Sequence, residues 1–195
     1  MRGALTVWRH PRPEGVQGRC IGGRSDVPVH WRRAKRLARR IQAHARRHRL
    51  PHEIWTSPLQ RCADVGRWLR RWGWQHRIDS NLREIDFGAW DGQPWSAIDK
   101  AEIDAWVADF PGFSPSGGES LNALLARVGA CALPAGALVV SHGGWMLARR
   151  WLRQSPGQVP DAGSWPSPPR YGAVNIDLQP YDQAPAGKAE TRSRG

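Results

Sequence analysis

The chain has 195 residues, a length suited to one compact domain. It carries 29 Lys plus Arg against 17 Asp plus Glu, a formal charge of +12, and 40% apolar residues, which excludes wholesale disorder. No run approaches the ~18 consecutive apolar residues of a membrane-spanning helix, and Arg9 breaks the first apolar run too early for a signal peptide. The expectation is a cytoplasmic protein with no membrane partner. Cys20, Cys62 and Cys131 form no CxxC pair, so free thiols are expected rather than a zinc site or a disulfide framework.

Leu5 to Trp8 reads as a first buried strand ending at Arg9-His10. Residues 11–29 are rich in Pro and Gly and are expected to be loop. Residues 31–49 carry Leu37, Ile41 and Ala45 on a helical stripe. Glu53 to Thr56 reads as a second strand. Ser57-Pro58 then looks like a helix N-cap followed by proline at the first helical position, and that helix stops near Gly73. Gln75 to Asp79 is a third candidate strand. Residues 82–93 are glycine-rich and acidic. Pro94 to Phe110 reads as a helix, with Trp95, Ile98, Glu102 and Trp106 sharing a side. Gly117-Gly118-Glu119-Ser120 opens another, to about Cys131. Ala137 to Ser141 is the most strand-like run, and His142-Gly143-Gly144 leads into a helix ending near Leu152. Five prolines between Pro156 and Pro169 mark an irregular segment. Ala173 to Leu178 is a last strand, and the polar tail from Gln179 is expected to be disordered. Alternating strands and helices predict one three-layer α/β/α domain over residues 1–178, with a largely parallel central sheet.

Charge is unevenly distributed. Residues 31–50 hold nine basic side chains and no acid, whereas residues 82–110 hold seven acids against Arg83 and Lys100. Such a basic helix either docks nucleic acid or an anionic surface, or is a solvated face whose arginine stems cover apolar surface. The solvated face is the expected case, so nucleic acid is not expected as a partner. A homodimer stays open.

Ligands in open α/β sheets bind at the carboxyl ends of strands. Three predicted strands end in suggestive residues: Arg9-His10, then Ser57-Pro58 with Arg61 in the next helical turn, then His142-Gly143-Gly144. Each alone is more often an ordinary side chain or tight turn than a functional group. Together, two histidines, two arginines and two helix N-termini suit a phosphoryl group. A neutral imidazole can attack phosphorus, and an acid held nearby can protonate the leaving group; Glu84 and Asp86 are both candidates. A metal hydrolase built on His10, His142 and the acids at 84, 86 and 91 is a further reading, but no HxxxH or HxD spacing supports it. Trp145, beside the His-Gly-Gly turn, is either a stacking surface for an aromatic leaving group or a core tryptophan.

Over about residues 4–178 the chain resembles the histidine phosphatase, or phosphoglycerate-mutase-like, superfamily. The resemblance rests on five motifs in the family's order: Leu5-Thr6-Val7-Trp8-Arg9-His10; Thr56-Ser57-Pro58-Leu59-Gln60-Arg61-Cys62-Ala63; Leu82 to Gly92; Gly117-Gly118-Glu119-Ser120; and Val140-Ser141-His142-Gly143-Gly144. It implies a phosphoglycerate mutase-like fold and a phosphoric monoester hydrolase with no cofactor and no metal. By the same resemblance, His10 would be the nucleophile that becomes phosphohistidine. Arg9, Arg61, His142 and Gly143 would hold the phosphoryl oxygens, and Glu84 would be the general acid. Pro11, Pro13 and Val16 stand where the family has Gly, Thr and Asn, so first-loop phosphate contacts are expected to differ, with Arg12 or Arg19 as substitutes. The chain lacks the long insertions of glycolytic mutases, which favours a phosphatase over a mutase. The Leu82–Gly92 motif is similar to the α-ribazole phosphatase branch of cobalamin assembly. That implies a small phosphorylated substrate such as α-ribazole 5′-phosphate, with a phosphoglycerate mutase-like phosphotransferase or a broad-specificity sugar phosphatase as alternatives.

Overall fold

The computed structural model describes residues 5–177; the polar tail expected from Gln179 lies outside these residues. Strand β1 (Leu5–Arg9) sends Leu5 and Val7 to one face of the sheet and Trp8 to the other. Four further strands complete the sheet: β2 (Glu53–Thr56), β3 (Gln75–Ile78), β4 (Leu138–Ser141) and β5 (Val174–Asp177). Their order is β3-β2-β4-β1-β5, parallel throughout except for antiparallel β5 on β1.

Helices cover both faces. Helices α1 (Trp31–His48) and α2 (Gln60–Arg71) pack Leu37, Ile41, Val65 and Leu69 against Trp8, Ile54, Leu138 and Val140. On the other face, α4 (Leu121–Ala130) and α5 (Gly143–Gln154) pack Leu124, Val128, Trp145 and Met146 against Val7 and Val139. The central strands are therefore apolar on both sides, and all four residues of β4 are buried. This is the expected three-layer α/β/α architecture. Helix α1 turns its alanine and leucine stripe inward and most of its arginines outward. No helix among the described residues is long and apolar enough to cross a membrane.

Two expected elements differ. The predicted helix over Pro94 to Phe110 is a 3₁₀ turn at Trp95–Ala97 followed by α3 (Lys100–Ala108). The break falls where Ile98 is drawn into a satellite cluster with Cys20 and Trp90, and where the Asp99 carboxylate accepts from the Ala101 amide at 2.9 Å as a new N-cap. Trp95 and Trp106 still share a side, their rings stacked 6.2 Å apart. Helix α2 begins two residues after the expected Pro58. Its first amide, that of Gln60, donates to the Asp26 carboxylate at 2.6 Å, so the cap arrives from the preceding loop.

Candidate active site

His10 and His142 leave the carboxyl ends of adjacent strands. Arg9 pairs with Ser141 in the β1–β4 register, and the His10 amide donates to the Ser141 carbonyl at 2.9 Å. Their rings lie 5.0 Å apart, both buried. The His10 Nδ1 is 2.8 Å from the Pro11 carbonyl. A carbonyl only accepts, so Nδ1 carries the hydrogen and the neutral ring keeps its lone pair on Nε2. Pro11 thus offers no amide to a ligand, yet its carbonyl fixes the tautomer a nucleophile needs. Burial, then the Arg61 charge, pushes His10 well below its ordinary value near 6.5; the Pro11 bond opposes this and Arg9 adds to it.

The His142 ring is held at both nitrogens. Arg61 Nε donates to Nδ1 at 3.2 Å, and Nε2 is 2.8 Å from the Ser57 hydroxyl. Arginine cannot accept, so the proton of the neutral ring sits on Nε2 and is given to Ser57. Burial, then Arg61, holds His142 well below the ordinary histidine range, with smaller contributions from His10, Arg9 and Arg127. The Ser57 hydroxyl therefore serves His142, besides accepting from the Leu59 amide at 3.3 Å.

Arg61 is almost wholly buried. It also donates to the carbonyls of Gly22, at 2.8 Å, and Ser25. That loop is drawn up by Asp91, whose carboxylate accepts from the Gly22 amide at 3.0 Å, the Arg24 amide at 2.8 Å and the Ser25 hydroxyl. Arg9 donates Nη1 to the Pro169 carbonyl at 2.6 Å, while its buried Nε finds no acceptor among the described residues. Arg19 turns instead to the Gly92 carbonyl at 2.8 Å, and exposed Arg12 reaches Gln17. Neither of the expected substitutes is drawn toward the histidines by these contacts.

Glu84 lies at the amino end of α5. Its Oε2 accepts from the Gly144 amide at 3.1 Å, and its Oε1 from Trp145 at 3.3 Å and from Ile85 at 3.1 Å. A Cβ on residue 144 would fall 2.5 Å from Oε1, so only glycine lets the carboxylate approach. The Met146 amide donates to the His142 carbonyl. Of the first-turn amides of α5, that of Gly143 is left without an acceptor among the described residues. The Glu84 backbone is braced from α4. There Arg127 pairs with Glu119 at 2.8 Å and donates to the carbonyls of Asn81, at 2.9 Å, and Arg83, at 3.1 Å.

The other candidates go elsewhere. Asp86 accepts from the Gly88 amide and pairs with Arg24. Among the described residues no three or more His, Cys, Asp or Glu side chains come together so that they could hold a metal ion. Trp145 is fully buried, its indole donating to the Asn81 carbonyl, and is a core residue rather than a stacking surface. Asp26, Arg127 and Tyr171 do not emerge as functional from sequence reasoning, and there Ser57 emerges only as a strand-end helix cap and Asp91 only as a candidate metal ligand. The acid following Gly-Arg-Ser and the acid preceding Gly92 are the signals that would have pointed to Asp26 and Asp91.

The site is a buried two-histidine, two-arginine cradle at the carboxyl ends of parallel strands, with a carboxylate on the adjoining helix terminus. The profile of the histidine phosphatase superfamily (branch 1) matches residues 5–163, and the chain belongs to that superfamily, whose members are phosphatases or mutases. No curated protein matches the chain in sequence. Among solved structures, TTHB049 from Thermus thermophilus is similar at 29% identity over 89% of this chain and 92% of that one, with a TM-score of 0.64. A phosphoglycerate mutase from the same organism is similar at 29% identity, over 89% and 91%, also with a TM-score of 0.64. The mycobacterial glucosyl-3-phosphoglycerate phosphatase Rv2419c shares the fold at 24% identity, over 90% of each chain, with a TM-score of 0.66.

Proposed function

We propose that the protein is a metal-independent phosphomonoesterase working through a phosphohistidine at His10. The observation that carries this reading is the pairing of a free His10 Nε2 lone pair, set by the Pro11 carbonyl, with the unsatisfied buried Nε of Arg9 on the same strand end. A buried donor without an acceptor is costly, and a phosphoryl oxygen is the acceptor it suits best.

In this scheme Glu84 enters in its acid form; His10 Nε2 forms a bond to phosphorus as the ester P–O bond breaks, and the leaving oxygen takes the Glu84 proton. Glu84 then removes a proton from water. The water oxygen attacks phosphorus, the N–P bond breaks, and phosphate leaves with the lone pair restored to Nε2. Arg9, Arg61 and the Gly143 amide would hold the non-bridging oxygens, and His142 would join them by turning its Nε2–H from the Ser57 hydroxyl to a phosphoryl oxygen, in the charge-neutralising part that a divalent cation takes in other phosphoryl-transfer sites. The substrate is a small phosphorylated metabolite. The Leu82–Gly92 motif favours α-ribazole 5′-phosphate. A second reading, phosphoglycerate mutase-like transfer, is favoured by the 29% identity to the Thermus mutase.

The test is an acid-labile, base-stable phosphoenzyme formed on mixing with labelled substrate in the presence of a chelator. His10→Ala is expected to form none and to release no phosphate. Full turnover by that variant would defeat the mechanism. A panel of α-ribazole 5′-phosphate, sugar phosphates and phosphoglycerates ranks the substrates by kcat/KM, and phosphate appearing on a second hydroxyl instead of in solution marks a mutase.

A further inference from the structure

The chain after α5 returns over the site and fastens itself to the strand end that carries His10. The Gly172 amide donates to both the Arg9 and His10 carbonyls, at 3.1 and 3.2 Å, and the Arg9 amide donates to the Ala173 carbonyl at 2.9 Å. Gly172 adopts a φ of +71°, a left-handed turn that glycine enters without strain. Its carbonyl accepts from Arg40 of α1 at 3.0 Å. These bonds leave little freedom to the residue before it. The Tyr171 ring lies over the Arg9 guanidinium, 4.0 Å from Cζ to the ring centre, and against the His10 ring at 5.5 Å.

The same segment supplies the Pro169 carbonyl to Arg9 Nη1. A guanidinium has two forks of parallel N–H bonds, one made by Nη1 with Nη2 and one by Nε with Nη2. With one Nη1 hydrogen on the Pro169 carbonyl, the fork of Nε with Nη2 is the one whose two nitrogens are both unengaged. Neither Nε nor Nη2 meets an acceptor among the described residues. The guanidinium also rests on the α5 terminus: a Cβ at Gly143 would lie 3.2 Å from Arg9 Cζ and 3.0 Å from the Pro168 side chain.

We infer that Tyr171, with the Pro169 carbonyl, is a positioning residue. It holds the Arg9 guanidinium so that the Nε–Nη2 fork, rather than the terminal fork, grips the phosphoryl group. Tyr171 acts through Arg9 and takes no part in bond making. This inference rests on the phosphoryl-transfer reading above.

The test is the affinity of the full-length protein for inorganic phosphate, measured calorimetrically for wild type, Y171L, Y171F, R9A, R9K and R9A/Y171L. Loss of the ring face in Y171L is expected to weaken phosphate about 2- to 30-fold, the span of a partly buried cation–π contact. Y171F keeps a ring face and is expected to recover most of that loss. In R9A the further change Y171L is expected to have no effect, which a merely structural role for the ring would not produce. R9K leaves Tyr171 in place but has no fork, and is expected to bind phosphate more weakly than Y171L does; it serves if Y171L does not fold. Wild-type affinity in Y171L or in R9K, or an equal loss with and without Arg9, overturns the inference alone. A wild-type protein that neither binds phosphate nor forms a phosphoenzyme overturns the reading beneath it and the inference together.

Discussion

Arg61 and His142 are joined Nε to Nδ1 at 3.2 Å inside the protein, and that one bond fixes which nitrogen of the imidazole bears hydrogen. The same guanidinium holds the carbonyls of Gly22 and Ser25. Arg61→Lys keeps the charge, but its single nitrogen cannot reach the three acceptors that the guanidinium serves from three separate nitrogens. It leaves buried acceptors unmet, at a cost of about 3 kcal/mol or more, and frees the His142 ring. Urea unfolding is expected to show that loss, and phosphate release to fall by about 10²-fold or more. A lysine variant with wild-type stability and turnover would remove Arg61 from the account.

Glu84→Gln separates the two halves of the reaction. With p-nitrophenyl phosphate the leaving group needs no proton, so His10 is still expected to be phosphorylated. Water activation then fails, giving a burst of p-nitrophenol and a phosphoenzyme that accumulates. With an alkyl phosphate the first step itself is expected to slow by about 10²- to 10⁴-fold. Rapid-mixing measurements with both esters decide it: equal slowing of the first step excludes leaving-group protonation by Glu84.

Asp91 lies outside the cradle yet ties down the loop that Arg61 grips. Asp91→Ala removes three hydrogen bonds to a carboxylate, a loss of about 1–3 kcal/mol in stability. Phosphate affinity is expected to weaken too, because the carbonyls orienting Arg61 are no longer held. Calorimetric titration of phosphate into the variant checks this. Unchanged affinity alongside reduced stability would confine Asp91 to folding.

Four histidines lie below the ordinary value and contribute to the acid response, His44 among them through burial and then the nearby His48 and Arg47. His76 is lowered to about 4, by burial first and then by Arg70 and Arg67, while His10 and His142 also lie well below their ordinary value near 6.5. Unfolded rings titrate near that ordinary value. Below it the unfolded chain therefore binds more protons than the folded one, so stability is full above about pH 6.5 and falls as the pH drops. Each ring contributes at most about 1.4 kcal/mol per pH unit, and part-exposed His76 less because solvent screens it. Urea midpoints measured from pH 7 to pH 4 are expected to decline in wild type and to decline less in His76→Gln, whose amide can still meet the Thr56 hydroxyl. Identical declines would show that His76 does not contribute.

The sheet was legible because β1, β2 and β4 are short apolar runs whose ends coincide with residues of unusual chemistry. The histidines and arginines were legible because each directly follows such a strand or opens the next helix. Tertiary competition hid the rest. The Ser57 hydroxyl is claimed by a histidine 85 positions later, so Asp26 caps the helix instead. Ile98 enters a cluster with Cys20, which breaks a helix that local periodicity supports. Tyr171 lies in a proline-rich stretch with no period, and its contact with Arg9 spans the whole domain.

Placing both histidines one step beyond adjacent, hydrogen-bonded strands has a consequence for how the protein fails. Neighbouring strands are held about 4.8 Å apart by their ladder, and the imidazoles are 5.0 Å apart. The spacing of the reactive pair thus follows from backbone pairing together with the Pro11, Arg61 and Ser57 bonds that hold each ring. A one-residue slip between β1 and β4 would point every side chain of one strand the wrong way and part the pair in the same movement. Turnover therefore reports on the integrity of the central ladder, and a partly frayed molecule is expected to be a silent one.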